Sequence, residues 1–131
     1  MKRDMDLIRE LMLRLEAYPL PSGAVSYFTA DDEEMSVPEC TPQEIDQHLL
    51  MIAKSGFIDT GSSNPSYGIA FKGLTWAGHD FVDSVRDPEI WRQTKKGIEK
   101  AKGFSVDLIV AVAKGILKKK LADLSGVEID L

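Results

Sequence analysis

The sequence has little of the chemistry that marks secreted, membrane-spanning or catalytic proteins. It contains one cysteine, Cys40, among 131 residues, so no internal disulfide can form, and no histidine or lysine adjoins it to activate the thiol. No apolar run approaches the roughly 20 residues needed to cross a bilayer. Residues 1–4 (M-K-R-D) do not begin an apolar signal core. We therefore expect a cytoplasmic protein with no membrane partner and a buried or half-buried, unreactive Cys40.

Patterns for metal binding and catalysis are also missing. The chain has two histidines, His48 and His79, and neither lies in a cluster with the ligand spacing of a metal site. No glycine-rich loop is suited to cradle a phosphate, and two histidines alone do not define a catalytic triad. We expect no catalytic residue, metal, cofactor or small-molecule substrate. We expect each histidine to have a supporting or capping role. Of the two, His79 is the better candidate for a local hydrogen bond, because Asp83 follows it by one helical turn.

Cationic charge is scarce in the first two thirds of the chain. The formal net charge is −5, but residues 1–90 contain 7 Lys or Arg against 16 Asp or Glu, giving −9, while residues 91–131 contain 9 against 5, giving +4. A protein that binds duplex DNA normally carries a cationic surface where it meets the phosphates. The charge of the first ninety residues therefore counts against DNA recognition there, and the lysines of the C-terminal part form a second surface that could contact a polyanion.

The strongest local signals lie between Thr41 and Phe81. Thr41 and Glu44 form a capping box at the start of a helix, and Gly56 is placed to end it in a left-handed conformation. Two short β-prone runs, 57–59 and 67–72, flank a polar tip and predict a hairpin. Thr75 then caps a helix with a buried stripe that includes Gly78, Phe81, Val82 and Val85.

Helix, hairpin and helix in this order are typical of a winged helix-turn-helix. A helix capped by Asp4 and a strand over 24–29 precede them, and we expect residues 35–40 to form the second arm of a small hairpin. The predicted fold is mainly α with small β hairpins. It comprises a winged-helix-like domain over residues 1–86 and a helical extension over 87–131, which we expect to pack on the first domain and to self-associate.

The last predicted helix, residues 106–121, is apolar around most of its circumference. Such a helix has to be covered on two sides, so we predict a homodimer in which Leu108, Val112 and Ile116 contact a second copy. We also expect the apolar residues among the last ten, Leu124, Val127, Ile129 and Leu131, to form an arm over a neighbour. The two tryptophans, Trp76 and Trp91, are expected to pack between the winged domain and the extension.

Five segments together resemble a family of uncharacterised bacterial and prophage proteins that carries a domain of unknown function. They are M-K-R-D-M-D-L-I-R at residues 1–9, E-I-D-Q-H-L at 44–49, S-G-F-I at 55–58, L-T-W-A-G-H-D-F-V-D at 74–83 and R-D-P-E-I-W at 86–91. The resemblance implies a small cytoplasmic protein, often phage-associated and related to winged helices, with no established activity. The acidic segment 31–39 departs from the family pattern.

Two functions remain open from the sequence, and an enzyme is not expected. One is a phage or prophage DNA-associated regulator, in which Gln43 and Gln47 reach adenine edges while Lys54 and Lys72 contact phosphates. The alternative is a protein–protein interaction or assembly module that has lost DNA binding, as the acidic charge of residues 1–90 favours.

Overall fold

The computed structural model describes residues 1–101 and 105–126. Helices predominate, with two small antiparallel strand pairs, which confirms the predicted fold class. The elements are α1 (Met5–Ala17), β1 (Ser26–Phe28), a short 3-10 helix (Glu33–Met35), α2 (Pro42–Ser55), β2 (Ile58–Asp59), β3 (Ile69–Phe71), β4 (Gly73–Leu74), α3 (Trp76–Val85), α4 (Pro88–Ala101) and α5 (Val106–Ser125). The contacts divide the chain into two compact units, the first spanning Met1–Asp80 and the second starting at Phe81.

The helices begin at the capping residues that the sequence indicates. The Asp4 carboxylate accepts hydrogen bonds from the backbone N–H groups of the first turn of α1. At α2, the Thr41 hydroxyl accepts from the Glu44 N–H at 3.1 Å, and the Glu44 carboxylate accepts from the Thr41 N–H at 3.2 Å. Gly56 ends α2 at a φ of +87°. These bonds satisfy donors that a helix start would otherwise leave unpaired.

The predicted hairpin between 57–59 and 67–72 was wrong in its pairing. β2 pairs with β4, with Ile58 opposite Leu74, and β3 lies within the connecting loop, where it pairs antiparallel with β1. The reason is burial: Ile69, Ala70 and Phe71 are all buried, so this segment enters the core and does not return beside β2.

The second predicted hairpin arm, residues 35–40, was also wrong. Met35 ends the 3-10 helix with its side chain fully buried, and Glu39 has a φ of +69°, which an extended strand does not accommodate. Pro38 has no N–H to donate to a strand partner. The segment is therefore a turn that leads into α2, and β1 takes β3 as its partner instead.

The core of the first unit forms where α1 and α2 pack together and against the strands. The apolar side chains that it buries are those of Leu7, Ile8, Leu11, Met12, Leu15, Phe28, Met35, Ile45, Leu49, Ile52, Phe57, Ile58, Ile69 and Phe71. Phe28 lies between two rings, edge-on to Tyr18 with centroids 4.8 Å apart and 6.1 Å from Phe71. This core holds the outer face of α2 in a fixed orientation.

In the second unit, α4 and α5 pack as an antiparallel pair. Gly97 of α4 faces Val112 of α5, while Ile90, seven residues earlier, lies near Lys119, seven residues later. Helix α5 ends at Gly126, which has a φ of +70°, so it continues four residues beyond the predicted end. Leu124 is therefore helical and does not belong to an arm. The other arm residues, 127–131, lie outside the described residues.

Within the described ranges, no helix is both long and apolar enough to span a bilayer. The predicted packing of residues 87–131 on the first domain stays a prediction.

Candidate interaction surface on the second helix

The outer face of α2 carries three of the four side chains that the sequence assigned to DNA. Gln43, Gln47, Leu50 and Lys54 follow one another at helical spacing and form one stripe, in which only Gln47 is half-buried. The fourth predicted residue, Lys72, lies elsewhere: its aliphatic stem passes over Gly61, so close that a methyl group there would lie 2.3 Å from the Lys72 Cδ. Lys72 is exposed at the base of the loop between β2 and β3.

Two carboxylates beside this stripe are bonded within the chain. Glu44 is held in the capping box, where the hydrogen bonds from Thr41 lower the pKa of its carboxyl. Asp46 accepts from the Ala30 N–H at 2.7 Å and from the Tyr67 hydroxyl at 3.3 Å. Asp46 therefore fastens both the turn after β1 and the residues before β3 to α2.

The Tyr67 side chain lies near the N-terminal half of α2, beside Asp46. It is 64% exposed although its hydroxyl is bonded to Asp46. The negative charge of Asp46, and less strongly that of Asp31, raises the pKa of the Tyr67 phenol above its usual value. Tyr67 therefore stays neutral and offers an aromatic face to solvent.

Beyond the end of α2, Trp76 is 90% exposed at the start of α3. The Thr75 hydroxyl donates to the Gly56 carbonyl at 2.6 Å, so α3 begins beside the end of α2. Asp46 and Gly56 are ten residues apart, which corresponds to about 15 Å along a helix. We call the surface formed by Gln43, Gln47, Leu50, Lys54, Tyr67 and Trp76 the α2 strip.

The expectation that Trp76 packs between two domains was wrong. Gly78 lies on the inner side of α3, where a methyl group would come within 2.0 Å of the Phe57 carbonyl oxygen. Residue 76 is two positions earlier and points roughly 160° away around the helix, at about 100° per residue. The close approach at Gly78 therefore directs Trp76 outward.

Trp91 is buried, and the Lys95 ammonium lies 5.7 Å from the centroid of its ring. That distance is within the range of a cation–π interaction. Of the two tryptophans, only Trp76 can contribute to a binding surface.

His48 has a structural role in the first unit. The ring is 1% exposed, its Nε2 accepts from the Asp4 N–H at 2.9 Å, and its Nδ1 lies 2.7 Å from the Glu44 carbonyl oxygen. Since a carbonyl only accepts, Nδ1 carries the hydrogen and the ring is neutral. His48 therefore ties the start of α1 to α2. His79 is exposed and no hydrogen bond joins its side chain to Asp83 within the described residues, so that prediction was wrong. The Asp83 carboxylate accepts from Arg86 at 2.9 Å.

Cys40 is half-buried, as expected. Burial, followed by the negative charges of Glu44 and Asp4, raises the pKa of its thiol. A raised pKa lowers the thiolate fraction and with it the nucleophilicity of the side chain. Within residues 1–101 and 105–126, no three His, Cys, Asp or Glu side chains are grouped so that they could hold a metal ion.

The three residues predicted to mediate self-association have different surroundings along α5. Leu108 is 36% exposed, and Val112 and Ile116 are half-buried. Val112 lies against Gly97, where a methyl group would be 3.3 Å from its Cγ1, so the chain itself covers part of its surface. Ile116 faces a groove of about 520 Å³, lined by Glu89, Ile90, Gln93, Ile116, Lys119, Lys120, Asp123 and Leu124.

Comparison with known proteins identifies the family. A protein from Haemophilus influenzae (strain ATCC 51907 / DSM 11121 / KW20 / Rd), described as an uncharacterized protein, is 31% identical over 127 residues, which cover 93% of this chain and 100% of that protein. No solved structure matches the chain. The family model described as "Hypothetical protein (DUF2513)" matches residues 2–105. The chain therefore belongs to the DUF2513 family.

Proposed function

We propose that Met1–Asp80 is a winged-helix variant that binds a protein partner through the α2 strip. The order of elements supports the scaffold: a helix, a strand, a short helix, the exposed helix α2, and then β2, which is joined to β4 by a long loop. The pairing of β3 with β1 joins the first strand to that loop, and the 3-10 helix stands where a winged helix has its short second helix.

The charge of the first unit favours a protein over a nucleic acid. Residues 1–80 contain 6 Lys or Arg and 13 Asp or Glu, a formal charge of −7. Binding to a duplex draws most of its free energy from cations that neutralise phosphates. The α2 strip has one cation, Lys54, and the Asp46 carboxylate adds a negative charge near the other end of the strip. Neutral surfaces rich in aromatic residues and poor in charge are typical of the centres of protein interfaces.

The observation that carries the proposal is the exposure of Trp76. A tryptophan that is 90% exposed leaves a large apolar area in water, and tryptophan and tyrosine are enriched among the residues that dominate binding energy at interfaces. Trp76 is not isolated, because Leu50 and Tyr67 are exposed along the same length of α2. Together these side chains give the strip three exposed apolar or aromatic groups, spaced along its length with the amide groups of Gln43 and Gln47.

A capture experiment with matched variants tests this proposal. The wild-type chain and the variants Trp76→Ser and Tyr27→Ser are immobilised, and each is exposed to an extract of cells that carry the gene. Tyr27 is a suitable control because its side chain is 57% exposed but lies outside the α2 strip. Circular dichroism establishes that both variants remain folded.

We expect a partner that binds the wild-type chain and Tyr27→Ser equally and loses most of its affinity for Trp76→Ser. Truncation of a tryptophan that dominates an interface typically costs about 2 kcal/mol or more, roughly a thirtyfold loss. A partner held equally well by Trp76→Ser, or no partner at all for the wild-type chain, would contradict the proposal.

DNA recognition by the same face is the second candidate. It is favoured by one observation: Gln43, Gln47 and Lys54 share a stripe while Glu44 and Asp46 are occupied by bonds within the chain. A gel-shift titration over a salt series decides between the two, because phosphate contacts are strongest at low ionic strength. Binding that weakens with salt and is lost in Gln47→Ala and Lys54→Gln would favour DNA. A cytoplasmic location and a prophage origin stay predictions.

A further inference from the structure

The buried stripe of α5 continues into an open groove. Ile109 and Ala113 are fully buried against the rest of the chain. Three residues beyond Ala113 and two turns beyond Ile109, Ile116 faces the groove of about 520 Å³ between the start of α4 and the end of α5. Leu124 stands at the end of this groove and is 76% exposed. The face that forms the core at one end of α5 is thus open to solvent at the other.

The groove has an apolar floor and charges of both signs at its rim. Ile90 and Ile116 line it, and Lys119, Lys120 and Asp123 surround them. None of these three charged side chains forms an ion pair with any other residue in the described ranges. The fourth charged residue, Glu89, is already bonded to Arg92 at 2.9 Å and to Gln93 at 3.0 Å.

We propose that a second copy of this chain covers the groove through a two-fold axis, which is independent of the function proposed for the α2 strip. In a two-fold interface the same patch meets itself, so the patch must carry both halves of every contact. This patch does so: Leu124 is a protruding apolar side chain beside an apolar groove, and the two lysines have an opposite charge in Asp123. Leu124 of each copy enters the groove of its partner, and Lys119 and Lys120 meet the partner's Asp123.

The mixture of charges argues against other occupants. A polyanion or an acidic peptide could pair with Lys119 and Lys120 but would bring a like charge to Asp123. A second copy supplies an opposite charge both for the two lysines and for Asp123. It also covers the apolar residues that follow Ile116 on α5, which the sequence indicated could not all be buried by one chain.

Sedimentation equilibrium over a concentration series tests the contact. The wild-type chain is expected to dimerise, and Leu124→Asp is expected to raise the dimer dissociation constant by at least about tenfold, because it places a charge in an apolar groove. Leu108→Asp is the matched control, since it makes the same change at an exposed leucine of α5 far from the groove. The control is expected to dimerise like the wild-type chain.

A charge exchange gives a more specific test. Lys119→Glu combined with Lys120→Glu, and separately Asp123→Lys, should each weaken the homodimer, because like charges then meet across the axis. An equimolar mixture of the two variants should form a heterodimer, since each altered side chain meets an opposite charge. Lys96→Glu on α4 is the charge control and should have no effect.

Three results would overturn the proposal. The first is a wild-type chain that stays monomeric at every soluble concentration. The second is a dimer that survives Leu124→Asp or dissociates only in Leu108→Asp. The third is a mixture of the charge variants that fails to associate.

Discussion

Replacing Gly78 by alanine should destabilise the protein although alanine is the better helix former. In a helix interior, alanine is favoured over glycine by about 1 kcal/mol. At Gly78 the added methyl group would lie 2.0 Å from the Phe57 carbonyl oxygen and 3.0 Å from its carbonyl carbon. These neighbours are backbone atoms, which cannot turn aside as a flexible side chain can. The clash therefore opposes the gain in helix propensity.

The size of the effect follows from how firmly the start of α3 is held. The Thr75 N–H donates to the Phe57 carbonyl at 3.0 Å, and the Thr75 hydroxyl donates to the Gly56 carbonyl. Moving α3 away from Phe57 would break these bonds, at roughly 1 kcal/mol each, and tolerating the methyl group in place costs about 1–3 kcal/mol. Each of these two responses costs about 2 kcal/mol, so after the propensity gain of about 1 kcal/mol is subtracted we expect a net loss of about 1 kcal/mol.

Urea denaturation followed by circular dichroism measures this loss. Gly115→Ala is the control: Gly115 is exposed within α5, and no neighbouring atom lies within 4 Å of the position of a methyl group. It should stabilise the protein by about 0.5–1 kcal/mol. If Gly78→Ala were neutral or stabilising as well, the close approach of α3 to Phe57, and with it the outward direction of Trp76, would be refuted.

Three further predictions concern the residues that position α2. His48→Leu should lower the free energy of unfolding by about 1 kcal/mol, measured in urea, because it removes the acceptor of the part-buried Asp4 N–H. Thr41→Ala should cost about 1 kcal/mol and raise the lowered pKa of Glu44, visible by carboxyl NMR. Because the pKa of Glu44 is lower in the folded chain, its contribution to folding stability is present above the pKa of the unfolded state. It is lost as the pH falls through the pKa of the folded state. Asp46→Asn should lower the raised pKa of Tyr67, measured by phenolate absorbance. Because the pKa of Tyr67 is higher in the folded chain, its contribution to folding stability is present below the pKa of the unfolded state. It is lost as the pH rises through the pKa of the folded state.

Helix boundaries were predictable because the interactions that set them are local. A capping bond joins residues two or three positions apart, as between Thr41 and Glu44, so a short stretch of sequence contains both partners. The same applies to Asp4 at the start of α1 and to Gly56 at the end of α2. The sequence therefore located the α-helices of both units, except that α5 extends beyond its expected end, and it did not predict the 3-10 helix Glu33–Met35.

Strand partners were not predictable because they depend on distant residues. Forty residues separate β1 from β3 in the chain, and nothing in either segment specifies the other. The alternation of apolar residues in 67–72 suggested one buried face, whereas Ile69, Ala70 and Phe71 are all buried. A strand covered on both faces has no solvent side to reveal its orientation, so its position had to come from the structure.

One part of the candidate site, the outward direction of Trp76, could have been predicted from the sequence but was not. Gly78 was expected on the buried side of α3, and helical geometry then places Trp76 on the opposite side. In contrast, the bond between Asp46 and Tyr67 joins segments that only folding brings together. The groove on α5 depends on which α4 residues lie opposite its last turns, and composition does not contain that information.

The two proposed surfaces make separable predictions about binding strength. A dimer carries two copies of the α2 strip, so it can bind an immobilised partner at two points and gain affinity from effective concentration. Leu124→Asp should remove this gain while leaving the one-to-one affinity in solution unchanged, because it does not alter Trp76. Trp76→Ser should weaken binding in both formats. Calorimetry in solution and binding to a densely coated surface measure the two quantities. A loss of one-to-one affinity in Leu124→Asp would mean that the α2 strip alone is not sufficient for the partner, and that each partner molecule contacts both copies of the chain.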